Sequence, residues 1–328
     1  MHLVFLTPSP DPAGGGGGFN AGLIPALRAL HHTVDTQHDA DALPPGATPI
    51  VDGMLLPDLE ADLDVLLARD AVAIIHHVSS RAGKDLALRE DVRTTERRML
   101  PLFRRVVATS QPVADRLAEE YGLTRVRVLQ PGLPDLPRSP GSGAPSSENS
   151  GCHILSVGVL TPRKGHHRLV QALARLADLN WTLTIAGDAQ RDVAHAQAVA
   201  ALVDDLDLGA RIAILPNPSD AALDAAWAAA DLFALASSWE GYPAGIAEAL
   251  RRGIPIVATT VGEVAALTPV AASILCPPDD MATFGKCLRR GICDGALRAS
   301  LSDAAWIAGQ ALPGWPAQAA AFETLLRS

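Results

Sequence analysis

Glu240 and Glu248 are separated by seven residues in the stretch Ser237-Ser238-Trp239-Glu240-Gly241-Tyr242-Pro243-Ala244-Gly245-Ile246-Ala247-Glu248-Ala249-Leu250. Apolar runs at residues 231–236 and 254–258 flank this stretch, so the order reads strand, loop, short helix, strand. Glu240 falls in the loop after the first strand and Glu248 on the helix. The start of that helix, at Ala244, Gly245 and Ile246, offers N–H groups with no partner inside the helix, which suits an anion. Two carboxylates bracketing such a start could grip the hydroxyls of a sugar and of a ribose while the N–H groups face phosphate.

Three further groups carry chemistry. Arg163-Lys164 sits in Thr161-Pro162-Arg163-Lys164-Gly165-His166, after a strand-like run and before a helical one. A point charge and a planar fork of donors at a strand-to-helix loop suit a diphosphate. Cations at a helix start oppose its dipole, so a bound anion accounts for them better than solvent does. Ile74-Ile75-His76-His77 puts two imidazoles at the end of a strand, where doubly wound domains bind ligands. Gly14 to Gly18 follows the first strand-like run. Gly16-x-Gly18-x-x-Ala21 fits a dinucleotide fingerprint formally, with Asp35 or Asp39 as the ribose acid. Pro8 to Ala13 separates these glycines from the strand, however, and the fingerprint needs them at the strand's end.

The elements that must position these groups alternate. Strand-like runs at 3–6, 49–51, 71–75, 106–109 and 126–129 are interleaved with helical stretches at 19–30, 59–68, 85–100 and 112–121. The pattern restarts with strands at 154–157, 183–186, 212–215, 232–236, 256–258 and 273–275, and helices at 166–177, 193–206, 221–229, 281–290 and 297–308. Such alternation predicts parallel sheets with helices on both faces. Between the two series, residues 134–150 are rich in Pro, Gly and Ser and read as a linker. The expected organisation is a first domain over 1–133, the linker 134–150, a second domain over 151–310 and a terminal segment 311–328, whose helix starts at Pro316.

Composition narrows the classes. The 328 residues carry a net charge of −9, which does not suit a nucleic-acid partner. The four cysteines, Cys152, Cys276, Cys287 and Cys293, form no C-x2-C pair, so no zinc site is expected, and scattered thiols suit a reducing cytoplasm. No cofactor is expected. The N-terminus reads as a strand rather than a signal peptide, and no apolar run reaches the roughly 20 residues of a membrane helix. Residues 81–105 are rich in arginine but diluted by Glu90, Asp91 and Glu96. They read as a solvated helix face with i,i+4 pairs such as Asp85–Arg89. The alternative is a patch for an anionic acceptor or for peripheral contact with a membrane.

The stretch from Ser238 to Glu263 resembles the signature of retaining glycosyltransferases of family 4. That pattern reads S-x-x-E-G-[FY]-G-x-x-x-x-E-A-[LM], then G-x-P-[VI]-[VI]-[AG]-[ST], then a glycine and an acid. It is met by Ser237 or Ser238, Glu240, Gly241, Tyr242, Glu248, Ala249, Leu250, Gly253, Pro255, Ile256, Val257, Ala258, Thr259, Gly262 and Glu263. Pro243 stands where the family often has glycine. Lys164-Gly165 match the end of the family's R-x4-K-G, while Val159 occupies the arginine position and Arg163 is the candidate substitute. The resemblance implies the GT-B fold, two Rossmann-like α/β domains with a cleft between them, the last helix crossing back onto the first domain. It implies a retaining, metal-independent transferase taking a nucleotide-diphospho-sugar donor, with the acceptor open. Glu240 would hold sugar hydroxyls or support developing positive charge, Glu248 the ribose, and Lys164 with Arg163 the diphosphate. His77, with His76 beside it, would orient the sugar. Gly15, Gly16, Gly17 and Gly18 would form a loop closing over phosphate. A nucleotide-sugar epimerase on the same fold, or a non-catalytic nucleotide-sugar-binding protein, are the alternatives.

Overall fold

The computed structural model describes residues 1–8, 15–77, 86–143 and 151–327, with only the backbone for 15–17 and 86–90. The chain divides into two units. Residues 1–134 and everything from Pro313 on form unit 1; Asp135–Leu312 form unit 2.

Unit 1 runs β1 (His2–Leu6), α1 (Gly15–Ala29), β2 (Thr33–Gln37), β3 (Thr48–Asp52), α2 (Leu63–Ala68), β4 (Val72–Ile75), α3 (Leu86–Met99), β5 (Arg105–Ala108), α4 (Gln111–Tyr121) and β6 (Val126–Val128). All six strands are parallel, in the order β2-β1-β3-β4-β5-β6. Both faces of the sheet are buried, which is why its inner strands read as unbroken apolar runs. Leu3 and Phe5 of β1 enter one core with Leu23 and Leu27 of α1, while Val4 and Leu6 enter the other. β2 escapes pattern reading because it is an edge strand with Val34 as its one buried residue.

The polyglycine run is a correction. Gly15, Gly16, Gly17 and Gly18 are not a loop after β1; they form the first turn of α1, which begins four residues before the expected start at Phe19. Gly14 lies outside the described residues. Glycine disfavours helix by about 1 kcal/mol per residue, but Phe19, Leu23, Ile24 and Leu27 are buried against the sheet and carry the helix.

Unit 2 runs β7 (His153–Val157), α5 (His166–Ala174), β8 (Thr182–Gly187), α6 (Val193–Asp205), β9 (Ile212–Pro216), α7 (Asp220–Ala229), β10 (Leu232–Leu235), α8 (Ala244–Arg251), β11 (Ile256–Thr259), α9 (Val264–Leu267), β12 (Ser273–Cys276), α10 (Met281–Cys293) and α11 (Gly295–Ala311). Its parallel sheet has the order β12-β11-β10-β7-β8-β9. The order reverses between β7 and β10. At such a switch point the connections leave in opposite directions, and a crevice opens beyond the carboxyl ends of the strands.

Residues 135–143 of the Pro/Gly/Ser-rich segment are held on unit 2. Ser139 N–H donates to the Arg252 carbonyl at 2.8 Å, its hydroxyl meets the Trp227 and Ala228 carbonyls at 3.0 Å, and Ser142 Oγ donates to Asp231 at 2.6 Å. Residues 144–150 lie outside the described residues. After α11 the chain returns to unit 1 as α12 (Trp315–Arg327). There Ala319 and Phe322 are fully buried, and Gln318 donates to the Gln130 carbonyl at 2.6 Å. A side chain at Gly22 of α1 would overlap the Trp315 indole, so glycine is what lets these two helices meet.

Four described arginines of the 81–105 segment pair with acids on other elements, and Arg97 donates to the Glu120 backbone carbonyl at 3.4 Å. Arg93 meets Glu120, Arg98 meets Glu60, and Arg104 and Arg105 meet Asp70. The Asp85–Arg89 pair lies outside the described residues. Among the described residues no helix is long and apolar enough to cross a membrane.

Candidate functional site

The loop after β7 and the loop after β10 flank the switch point of unit 2, and their functional side chains meet there. Lys164 Nζ bonds both oxygens of Glu240, at 2.7 and 2.9 Å. Ser237 Oγ donates to Glu240 Oε1 at 2.6 Å. Arg163 Nη1 lies 3.3 Å from Glu240 Oε2 and donates to the Trp239 carbonyl at 2.6 Å. Thr259, at the end of β11, fixes the Ser237 carbonyl at 2.6 Å. Two glycines let these loops touch. Gly165 has φ +71° and faces the Ala236 carbonyl, and Gly262 has φ +52° and faces the Glu240 carbonyl; a Cβ at either would overlap that oxygen.

The knot is buried but not neutral. Glu240 is 2 % exposed, the Lys164 side chain 13 % and Arg163 40 %. Burial acts to raise the Glu240 pKa, but the Lys164 and Arg163 charges and the Lys164 and Ser237 hydrogen bonds outweigh it and hold the carboxylate below its usual range. Burial lowers Lys164 below the ordinary lysine value, against the pull of Glu240. Two cations thus face one carboxylate. Two of the three ammonium donors of Lys164 are engaged, leaving one for a ligand, and Arg163 keeps the outer part of its fork. Two residues after Lys164, His166 is completely buried, and neither ring nitrogen has a hydrogen-bond partner among the described residues. Burial, followed by the nearby Lys164, His195 and His167, pushes its pKa down to about 3.

At the start of α8 the expected row of unpaired N–H groups is shorter. Ala244 N–H donates to the Tyr242 carbonyl at 3.0 Å and Ile246 N–H to the Pro243 carbonyl at 2.9 Å, because Pro243 opens the helix through a tight turn. The Ile246 side chain is core. Of the three, the Gly245 N–H has no backbone partner among the described residues. A Cβ at Gly245 would sit 2.9 Å from the Phe233 ring, so its glycine serves helix-on-sheet packing. Glu248, one turn on, is 28 % exposed at its side chain and accepts from Arg252 at 3.0 Å.

In unit 1 a second cluster forms at the carboxyl ends of β3 and β4. His76 Nε2 lies 3.4 Å from Asp52 Oδ2, with both side chains buried. Asn20 of α1 donates to the same oxygen at 3.2 Å, and Met54 N–H to Oδ1 at 3.0 Å. The Phe19 ring meets the imidazole edge-on at 5.1 Å. Burial acts to raise the Asp52 pKa, but His76 and the donors to the carboxylate bring it below the usual range. His77 follows, half-buried. Sequence reasoning named the histidines and missed Asp52 and Asn20. The visible signal was an acid ending an apolar strand just before Gly53. Among the described residues no three His, Cys, Asp or Glu side chains come together as a metal-ligand set.

Residues 146–306 match the family model described as glycosyl transferases group 1. That part of the chain is thus similar to the group 1 glycosyltransferases. Lys164, Glu240 and Glu248 all lie inside the matched region. Among curated relatives, D-inositol 3-phosphate glycosyltransferase of Mycobacterium sp. (strain KMS) is 29 % identical over 213 residues, covering 60 % of this chain and 48 % of the relative. The counterpart from Rhodococcus jostii is 30 % identical over 171 residues, covering 48 % and 38 %. The chain therefore spans about half the length of the curated relatives it matches. Among solved structures, sucrose-phosphate synthase of Thermosynechococcus elongatus superposes with TM-score 0.84 at 20 % identity, over 100 % of this chain and 98 % of that one. Anabaena HepE in complex with UDP-glucose gives TM-score 0.80 at 18 % identity, over 100 % and 99 %. The matched region and the N-terminal unit thus share the two-domain α/β fold of these GT-B structures.

Proposed function

We propose that the chain is a retaining glycosyltransferase that moves a sugar from a nucleotide-diphospho-sugar to an acceptor hydroxyl without a metal ion. The observation that carries this reading is the Lys164–Glu240–Arg163 knot at the switch point of the region similar to group 1 glycosyltransferases: two cations around one buried carboxylate leave a net positive charge beside the start of α8. The spare donors of Lys164 and Arg163, with the Gly245 N–H, suit the diphosphate, whose negative charge grows as the sugar leaves. Glu240 holds Lys164 in place, a role its burial favours over direct grip on the sugar. Glu248 takes the ribose hydroxyls, and His77 or His76 orients the sugar. The relatives' printed names support a sugar-nucleotide substrate: HepE is solved with UDP-glucose, and the curated relatives are glycosyltransferases.

The test is a panel of UDP-, GDP-, ADP- and TDP-sugars read by thermal shift, followed by NMR of the product formed in EDTA. A donor at about 100 times its dissociation constant should stabilise the protein by about 2.7 kcal/mol. Turnover in EDTA with the anomeric configuration kept is the expected result. Loss of turnover on chelation, restored by Mg²⁺ or Mn²⁺, overturns metal independence. Inversion at another sugar carbon identifies an epimerase instead.

A further inference from the structure

Arg252 is not among the residues that carry the resemblance around Glu248, yet three contacts fix it. Its side chain is 6 % exposed, its guanidinium carbon sits 5.7 Å over the Trp227 ring, Nε donates to Glu248 Oε1 at 3.0 Å, and Nη2 donates to Asp224 Oδ1 of α7 at 2.5 Å. Its carbonyl takes the Ser139 N–H at 2.8 Å, which anchors the backbone at the end of α8. A buried arginine held by an aromatic ring and two carboxylates has little rotational freedom, so it can serve as a fixed template. Glu248 Oε1 is bound to that template, and Oε2 has no partner among the described residues.

We propose that Arg252 is a positioning residue: shared between Glu248 and Asp224, it fixes one oxygen of the Glu248 carboxylate and leaves the other presented to a ligand hydroxyl. The role of that hydroxyl as part of a ribose rests on the function proposed above; the sharing of Arg252 does not. The charged groups facing Glu248 are Arg252 on its own helix and Asp224 on α7. Burial raises the Glu248 pKa, Arg252 opposes that rise, and Asp224 adds to it. The two acids therefore compete for one cation. This competition distinguishes positioning from simple packing, because losing Arg252 and losing Asp224 should have effects of opposite sign on Glu248.

The full chain, labelled with ¹³C at glutamate carboxyls, is titrated by NMR without ligand, with Glu248→Gln assigning the resonance. Arg252→Met should move the Glu248 midpoint up and Asp224→Asn should move it down, while Arg252→Lys should restore most of the loss. Asp224 is 65 % exposed at its side chain, so its variant tests the idea without threatening the fold. Midpoints that stay put in both Arg252→Met and Asp224→Asn, or that move the same way, overturn the proposal. UDP affinity measured on the same proteins at pH 5.5 and 8 is the second reading. Affinity that follows the Glu248 midpoint supports the ribose role. Shifted midpoints with pH-independent affinity keep the shared arginine and remove Glu248 from the nucleotide.

Discussion

Lys164→Met is expected to lower the unfolding free energy by about 3 kcal/mol and to cut kcat by about 10²- to 10³-fold. Both effects come from one ion pair. The substitution leaves Glu240, 2 % exposed, without its principal countercharge. Breaking a buried pair from one side typically costs about 3–5 kcal/mol. The lower end applies here because Arg163 remains 3.3 Å away and Ser237 still donates. Neutralising the carboxylate as well, in Lys164→Met/Glu240→Gln, should recover most of the stability and none of the activity. Denaturant melts and initial rates on the two proteins check this. An unfolding midpoint unchanged in the single variant would show that the pair does not hold the loops together. Equal kcat in wild type and both variants would remove Lys164 from the reaction.

His166→Leu is expected to flatten the loss of stability between pH 6.5 and about 3. The wild-type imidazole binds its proton with a pKa near 6.5 when unfolded and only near 3 when folded. The unfolded chain thus takes up a proton that the folded chain refuses, and stability falls as pH drops through this window. By pH 5 the penalty is about 2 kcal/mol, and at pH 3 about 4–5 kcal/mol. Leucine fills a similar space, binds no proton and removes two buried nitrogens that lack partners among the described residues. At pH 8 the variant should match or exceed wild type. The Glu240 contribution falls in a different window. Its folded pKa is depressed, so its stabilisation is present above the ordinary value of 4.5 and is lost as pH falls below it. A difference between variant and wild type that is the same at pH 8 and pH 5 would show that His166 does not resist protonation.

The inner strands of both sheets were legible because each is buried on both faces, which leaves an apolar run in the chain. The Glu240-to-Glu248 stretch was legible because its order of residue types is demanding. What could not be read was which side chains bond each other. Lys164 and Glu240 were assigned to a ligand, one to diphosphate and one to sugar. Nothing in a linear string shows that β7 and β10 are neighbours in the sheet, and that adjacency is what joins them. Asp52 and Asn20 meet His76 for the same reason, through β3, β4 and α1. At Gly15 to Gly18 local propensity pointed to a loop, and packing of the residues that follow made it helix. At Ala244 and Ile246 the helix start was placed well, but the Pro243 turn that engages their N–H groups depends on backbone angles that residue types alone leave open.

The proposed function turns on the loop cation Lys164 meeting the diphosphate of a donor. Calorimetric titration addresses it most directly, comparing wild type with Lys164→Met at neutral pH and below the unfolding range of both. The ligands are the sugar nucleotide selected by the panel and the nucleoside monophosphate with the same base. The substitution should weaken binding of the sugar nucleotide at least tenfold, about 1.4 kcal/mol, and change that of the monophosphate far less. Equal affinity of both proteins for the sugar nucleotide, or no binding of any sugar nucleotide by wild type, contradicts it.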